Sequence, residues 1–173
     1  LAYRLEASST NFNGAGAYIT AATSNMGQNA LTLSGLDGNT TYYFRIGALN
    51  QALAPNYSTS AVATTLALPL PLDSLIAGVS PTGITITLDP PYPSSPQGYS
   101  CEGYILEGSS RTFGSGAVTH SSASYSNNTA SLTLAGLRAN TTYYLRMATL
   151  NWAGTPNYVT LPPAVTALPP PLS

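Results

Sequence analysis

The stretch "NTTYYFRIGALN" at residues 39–50 recurs almost unchanged as "NTTYYLRMATLN" at residues 140–151. Every second residue of the first copy is apolar, which gives the set Tyr42, Phe44, Ile46 and Ala48. The matching set of the second copy is Tyr143, Leu145, Met147 and Thr149. A period of two places alternate side chains on opposite faces of a β-strand. Both copies therefore predict a strand with one face in a core.

The repeat extends well beyond this stretch. With an offset of 101 positions, "YRLEASS" (3–9) matches "YILEGSS" (104–110), and "APNYST" (54–59) matches "TPNYVT" (155–160). The Pro-rich "LPLPLDS" (68–74) resembles "LPPPLS" (168–173). A period of about 100 residues corresponds to one domain per repeat. We expect one complete repeat and the later part of another, because residues 73–101 have no counterpart before Leu1.

The complete repeat contains short segments rich in β-branched and aromatic residues, separated by Gly, Pro, Asn and Ser. These segments lie near residues 74–80, 83–89, 102–109, 115–122, 130–135, 141–150 and 158–167. No window has a convincing helical stripe. Such a series of short strands within about 100 residues predicts an all-β fold of two packed sheets.

The pattern LxxLxxxTxY, followed by alternating apolar residues and AxN, resembles the fibronectin type III domain. The residues that carry the resemblance are Leu33, Leu36, Thr40, Tyr42, Ala48 and Asn50, and in the second copy Leu134, Leu137, Thr141, Tyr143 and Asn151. The resemblance implies tandem Ig-like β-sandwiches of a bacterial or archaeal surface-protein type. It also implies that Tyr42 and Tyr143 are tyrosine corners. The chain departs from the family at Leu88, where Trp is usual.

By this resemblance, residues 1–67 form a partial domain with strands C to G, and residues 75–168 form a complete domain. A Pro-rich linker at 68–74 is expected to be extended and stiff, and 169–173 begins the next linker. Strands A and B of the first domain are absent, which leaves strand E (about 29–34) without neighbours. The missing strands either lie outside this fragment or are supplied by another chain through strand addition.

Composition excludes several classes of function. Charged residues make up 6% of the chain, there is no Lys, and the net charge is −1. We expect no nucleic-acid partner, because a basic patch is needed to neutralise phosphates. No membrane insertion is expected, since no run of 18 apolar residues occurs. A single cysteine, Cys101, and a single histidine, His120, do not form a zinc cluster or a disulfide.

No catalytic residue, cofactor or metal is predicted. His120 lies in the Ser-rich stretch "VTHSSASYS" and has no counterpart in the first repeat. Glu6 and Glu107 recur on strand C, and Arg45 and Arg146 recur on strand F. Since C and F are neighbours in this fold, we expect cross-strand Glu–Arg pairs on the outer face of the sheet.

Two sets of residues are candidates for contacts outside the chain. Four N-x-Ser/Thr sequons are candidate glycosylation sites: Asn39, Asn56, Asn127 and Asn140. Five aromatic residues are predicted to face outward as a contact surface for adjacent modules, proteins or sugars: Tyr43, Tyr57, Tyr144, Trp152 and Tyr158.

These features favour a non-enzymatic, extracellular or cell-surface protein. The first hypothesis is a set of tandem modules from a fibre, appendage or adhesin, which associates with itself or with neighbouring modules and is assembled through strand complementation between subunits. The alternative is a spacer or carbohydrate-binding accessory region of a secreted enzyme such as a glycoside hydrolase. A flat strip of exposed aromatic residues would favour the alternative.

Overall fold

The computed structural model describes residues 2–14, 18–71, 75–88, 100–114 and 119–171. In these ranges the regular secondary structure consists of β-strands, without a helix. The strands are β1 (Ala2–Ser8), β2 (Ile19–Thr23), β3 (Thr41–Leu49), β4 (Pro55–Thr64), β5 (Leu75–Val79), β6 (Gly83–Leu88), β7 (Gly103–Ser109), β8 (Thr119–Ser124), β9 (Ser131–Ala135), β10 (Thr142–Leu150) and β11 (Pro156–Val165).

The second module is a sandwich of two antiparallel sheets. One sheet has the order β11-β10-β7-β8 and the other has the order β5-β6-β9. In fibronectin type III terms these are strands G-F-C-C′ and A-B-E, so the predicted all-β fold class is confirmed. The strand segments predicted for this repeat agree with the observed ones to within a few residues. The start of one of them, residues 115–118, lies outside the described residues.

The core of the second module is formed by the facing sides of its two sheets. Ile84 and Leu134 of the smaller sheet pack against Leu106, Leu145 and Met147 of the larger one, and all five are buried. Burial alternates along β6 and β9, as expected for strands with one face in a core. The period-two pattern therefore identified the inward side chains of this module correctly.

In the residues that the structure describes, the first module has only the larger of the two sheets, with the order β2-β1-β3-β4. Its inner face is partly uncovered, because Ile46 is 42% exposed whereas the equivalent Met147 is 0% exposed. The predicted strand near 29–34 is not formed. In the second module the equivalent strand β9 is paired with β6, and the described part of the first module contains no strand that could take the place of β6. A strand needs such a hydrogen-bonding neighbour.

The unpaired segment still lies across part of the inner face. Residues 28–31 line a cavity of about 180 Å³ together with Tyr3, Leu5 and Ile46. This loop covers apolar surface without adding a strand to a second sheet, so it replaces the missing sheet only in part.

Both predicted tyrosine corners are formed. The Tyr42 hydroxyl accepts a hydrogen bond from the backbone N–H of Asp37 at 3.1 Å, and the Tyr143 hydroxyl accepts one from Arg138 at 3.0 Å. Both tyrosines are buried. The loop before strand F therefore has the same anchor in both modules, although only one module has a complete sandwich.

The uncovered inner face predicts unequal effects of matched substitutions. We expect Met147→Ala to lower the free energy of unfolding of the second module by about 2–5 kcal/mol, because it leaves a cavity in a closed core. Ile46→Ala should cost the first module less than about 1 kcal/mol, because its side chain is already partly in water. Native-state hydrogen exchange of the β10 and β3 amides measures both values, and equal losses would contradict a half-open first module.

Candidate functional site: the joint between the modules

The two modules meet in a joint formed by the linker and by loops from both sides. Ala67, just before the linker, and Leu70 within it are buried and belong to the apolar core of the second module. These side chains pack into the module that follows, because burial removes them from water.

Asn39 is the central residue of this joint and is 0% exposed. Its Nδ2 donates hydrogen bonds to Ser100 Oγ at 3.1 Å and to Glu102 Oε1 at 2.9 Å. Its Oδ1 accepts a hydrogen bond from the backbone N–H of Trp152 at 2.8 Å. Asn39 has a φ of 47°, a left-handed conformation that asparagine tolerates better than most residues. The first module thus inserts one fully paired side-chain amide into the second.

The second module returns side-chain hydrogen bonds to the backbone of the first. Asn151 Nδ2 donates to the carbonyl oxygen of Thr65 at 3.0 Å, and Asn157 Nδ2 donates to that of Ala67 at 2.7 Å. The hydroxyl of Thr149 donates to the carbonyl oxygen of Leu68 at 2.9 Å. Buried polar groups are normally paired, so these contacts specify which surfaces meet.

The candidate glycosylation sites lie in different environments. Asn39 is not available to a glycan in this fold, because its Nδ2 is buried and makes two hydrogen bonds, which corrects that prediction. Asn56 and Asn140 are exposed, and Asn127 is half-buried. The sequon is a local pattern, whereas the burial of Asn39 comes from the neighbouring module.

The expected Glu–Arg pairs are present on the outer face of each four-stranded sheet. Arg45 Nε and Nη2 both lie 2.7 Å from Glu6 Oε2. In the second module Arg146 Nε and Nη2 both lie 2.6 Å from Glu107 Oε2. The pairs form because β1 and β3, like β7 and β10, place these residues directly opposite each other.

Aromatic rings enclose each arginine of these pairs. The Arg45 guanidinium carbon lies 4.0 Å from the ring centres of both Phe12 and Tyr57. In the second module Arg146 lies 4.4 Å from the ring centre of Phe113 and 4.2 Å from that of Tyr158. We call each arginine, its glutamate partner and the two rings beside it an arginine cluster. Two of the five predicted contact aromatics, Tyr57 and Tyr158, are therefore part of internal clusters.

The pKa shifts of Arg45, Tyr57 and Tyr158 favour a structural role for the arginine clusters. Burial acts most strongly on Arg45 and lowers its pKa, but the hydrogen bond that Arg45 donates to Glu6 and the negative charge of Glu6 act together against it, and the pKa lies above its ordinary value. Burial, followed by the hydrogen bond to Glu6, raises the pKa of Tyr57. Burial, followed by the charge of Glu107, raises the pKa of Tyr158. Arg45 therefore stays charged and Tyr57 and Tyr158 stay neutral at ordinary pH.

The remaining predicted contact aromatics differ in exposure. Tyr43 is half-buried, Tyr144 is exposed, and Trp152 is 58% exposed beside the joint.

Cys101 is buried just before β7, and burial raises the pKa of its thiol.

His120 packs edge-on against Tyr143 at 5.9 Å between ring centres. Sequence patterns gave no sign that it lines a groove of about 570 Å³ together with Arg111 and Arg138. In the described ranges neither arginine has an ion-pair partner.

The described residues contain no group of three His, Cys, Asp or Glu side chains placed to hold a metal ion. No helix among them has the length and apolar character needed to cross a membrane.

The arginine clusters predict that only the enclosed arginine matters for stability. Arg4 also contacts the Glu6 carboxylate, at 3.8 Å, but is more exposed than Arg45. We expect Arg45→Met to lower the free energy of unfolding by about 2–3 kcal/mol, because it leaves the buried carboxylate of Glu6 with only the more distant and more exposed Arg4 and removes the contacts with two rings. The control Arg4→Met should cost less than about 1 kcal/mol. Denaturant unfolding measures both, and similar losses would contradict the assignment.

No protein-family model matches the chain, and no curated protein matches it. Among solved structures it is similar to a segment of two fibronectin type III domains from chicken tenascin, with 16% identity, a TM-score of 0.48, and coverage of 93% of this chain and 83% of that one. It is also similar to the FN1–FN3 domains of chicken CNTN1, with 19% identity and a TM-score of 0.44. That match covers 96% of this chain but only 54% of the CNTN1 segment, so the chain spans about half its length.

A further similar structure is the fn3 domain of human collagen alpha-1(XX), with 19% identity, a TM-score of 0.45, and coverage of 62% of this chain and 91% of that one. The fold assignment rests on the strand order and tyrosine corners of the chain itself rather than on these similarities. By those features the chain consists of tandem fibronectin type III-like modules.

Proposed function

We propose that the chain is a non-catalytic structural protein whose tandem modules belong to an extracellular fibre, appendage or surface adhesin. The observation that carries this proposal is the joint, where Asn39 of one module is buried in the next and Asn151 and Asn157 bond back to the first. Modules joined by a flexible linker need no such contacts. A chain that transmits force or keeps a fixed spacing does need them.

The surface chemistry supports the same proposal. Charged residues are only 6% of the chain, so little charge repulsion separates neighbouring molecules. Trypsin-like proteases cut after Lys and Arg, and this chain has no Lys and five Arg. Two of those, Arg45 and Arg146, lie between aromatic rings. Weak charge repulsion between neighbouring molecules and few cleavage sites suit an extracellular fibre.

Electron microscopy of the native material tests the proposed function. We expect continuous filaments or stalks with a constant axial repeat, because each joint fixes the next module. Isolated beads at variable distances would contradict a fibre. Such beads attached to a catalytic domain would support the alternative, a spacer of a secreted enzyme.

We further propose that the first module is completed by a two-stranded hairpin equivalent to β5–β6, supplied by a neighbouring chain. Its inner face supports this, because Ile46 and Ala48 are exposed although their counterparts Met147 and Thr149 are buried. The segment at 29–34 also lacks the strand that β6 provides for β9. A donated hairpin would supply both an apolar face and backbone hydrogen-bonding groups.

A synthetic peptide with the sequence of residues 75–88 tests this donation in trans. On its addition to the full chain, we expect the backbone amides of residues 31–35 to become protected from hydrogen exchange. The Ile46 methyl signals should shift at the same time. A control peptide carrying Ile84→Ser and Ile86→Ser should have neither effect, because it lacks the apolar face. Unchanged exchange at saturating peptide would rule out completion by a separate chain.

A further inference from the structure

The end of the second module repeats the surface with which the first module forms the joint. The backbone N–H of Asn39 donates to the carbonyl oxygen of Leu66 at 3.0 Å, and that of Asn140 donates to Ala167 at 3.2 Å. The φ angles of the two asparagines are 47° and 49°. The loop that presents the side chain therefore has the same conformation in both modules.

The neighbouring threonines reproduce the same local bonds. The backbone N–H of Thr40 donates to Thr65 Oγ1, and that of Thr141 donates to Thr166 Oγ1, both at 3.0 Å. The hydroxyls of Thr65 and Thr166 in turn donate to the carbonyl oxygens of Asp37 and Arg138, at 2.7 and 2.6 Å. The repetition thus extends to the hydrogen bonds that hold the asparagine in place.

The two asparagines differ only in what faces them. Asn39 is buried and uses both ends of its amide on the second module. Asn140 is exposed, and within the described residues its side chain has no hydrogen-bond partner. The tail that follows is exposed as well, including Leu168 at 68%. In the first joint, by contrast, Ala67 and Leu70 of the corresponding Pro-rich segment are buried.

We propose that Asn140 and the tail at 167–171 form the docking half of a second joint, whose partner is the N-terminal end of a further complete module of this same repeat. This inference rests on the proposed function and names the partner of that assembly. The joint inside the chain supports this inference, because the equivalent loop of the first module binds a complete module there.

The chemistry of the joint specifies a complete module as the partner. A partner must offer a carboxylate at the position of Glu102, a hydroxyl at that of Ser100 and a backbone N–H at that of Trp152. The position of Glu102 corresponds to Leu1 in the first repeat, which has no carboxylate to offer. The first module of another copy therefore does not meet these requirements, whereas a repeat like residues 75–171 does.

The substitution Asn140→Asp tests this joint with little change to the loop. Aspartate has the same size and also tolerates a positive φ, so the loop itself is preserved. It loses the two N–H donors and places a carboxylate against that of Glu102, which is unfavourable. A second variant, Asn140→Gly, keeps the backbone conformation and removes the side chain entirely.

The experiment compares the 173-residue chain with an extended chain, in which residues 1–171 are followed by a second copy of residues 71–171, so that the native tail is kept. In the extended chain, we expect the backbone amide of the added copy of Trp152 to be protected from hydrogen exchange. Asn140→Asp and Asn140→Gly should each speed its exchange by about tenfold or more. In the 173-residue chain both variants should leave the exchange rates and the unfolding midpoint unchanged.

The first joint provides the matched control. Asn39→Asp should speed exchange of the Trp152 amide in both chains, because that joint is present in both. Equal effects of Asn140→Asp in the two chains, or no protection in the extended wild type, would overturn the inference. A glycan on Asn140 of the native protein, detected by intact mass, would also overturn it. If the second joint forms but microscopy of the native material shows isolated beads, the proposed fibre is wrong and this inference still holds.

Discussion

The buried amide of Asn39 is the contact on which the arrangement of the two modules depends. An amide removed from water without partners costs about 1–3 kcal/mol, so the second module must present matching groups wherever this side chain enters it. Glu102 and the backbone N–H of Trp152 meet that need from two different parts of the second module. A rotation of one module against the other would break both bonds together. The joint therefore specifies orientation as well as contact.

The same constraint explains the conformation of the loop before strand F. Asn39 reaches the second module only because its backbone is left-handed and because Tyr42 holds the loop through the N–H of Asp37. The tyrosine corner is usually regarded as a feature of one domain. Here it also positions a residue that binds the next domain, so the stability of a module and its connection to the next are linked.

The first module keeps its sheet although it lacks the second one. Its outer face provides part of the explanation, since Arg45 joins β3 to Glu6 on β1 and lies between Phe12 and Tyr57. The joint anchors one end of the sheet, and residues 28–31 cover part of the inner face. These contacts hold the sheet together, but they leave Ile46 partly in water, so the inner face of the module is not fully covered.

The sequence predicted those features that arise from local patterns. The period of two identified β3 and β10, and the resemblance to a fold in which strands C and F are neighbours predicted the pairing of Glu6 with Arg45. Sequence patterns did not predict the loss of the strand near 29–34, because a strand depends on a neighbour distant in the chain. The arginine clusters were missed for the same reason, since Phe12 and Phe113 lie in segments that resemble simple turns.

Asn39 and Asn140 show most clearly what the local sequence does not predict, namely whether a residue is buried by a neighbouring module. Both lie in the same pentapeptide, "NTTYY", and both have the same backbone conformation, yet one is buried and the other exposed. The difference is due to the module that follows and not to the loop. Each strand F also connects the two ends of its module, since β10 (Thr142–Leu150) lies between Asn140 and Asn151 and Arg146 pairs with Glu107 at its middle.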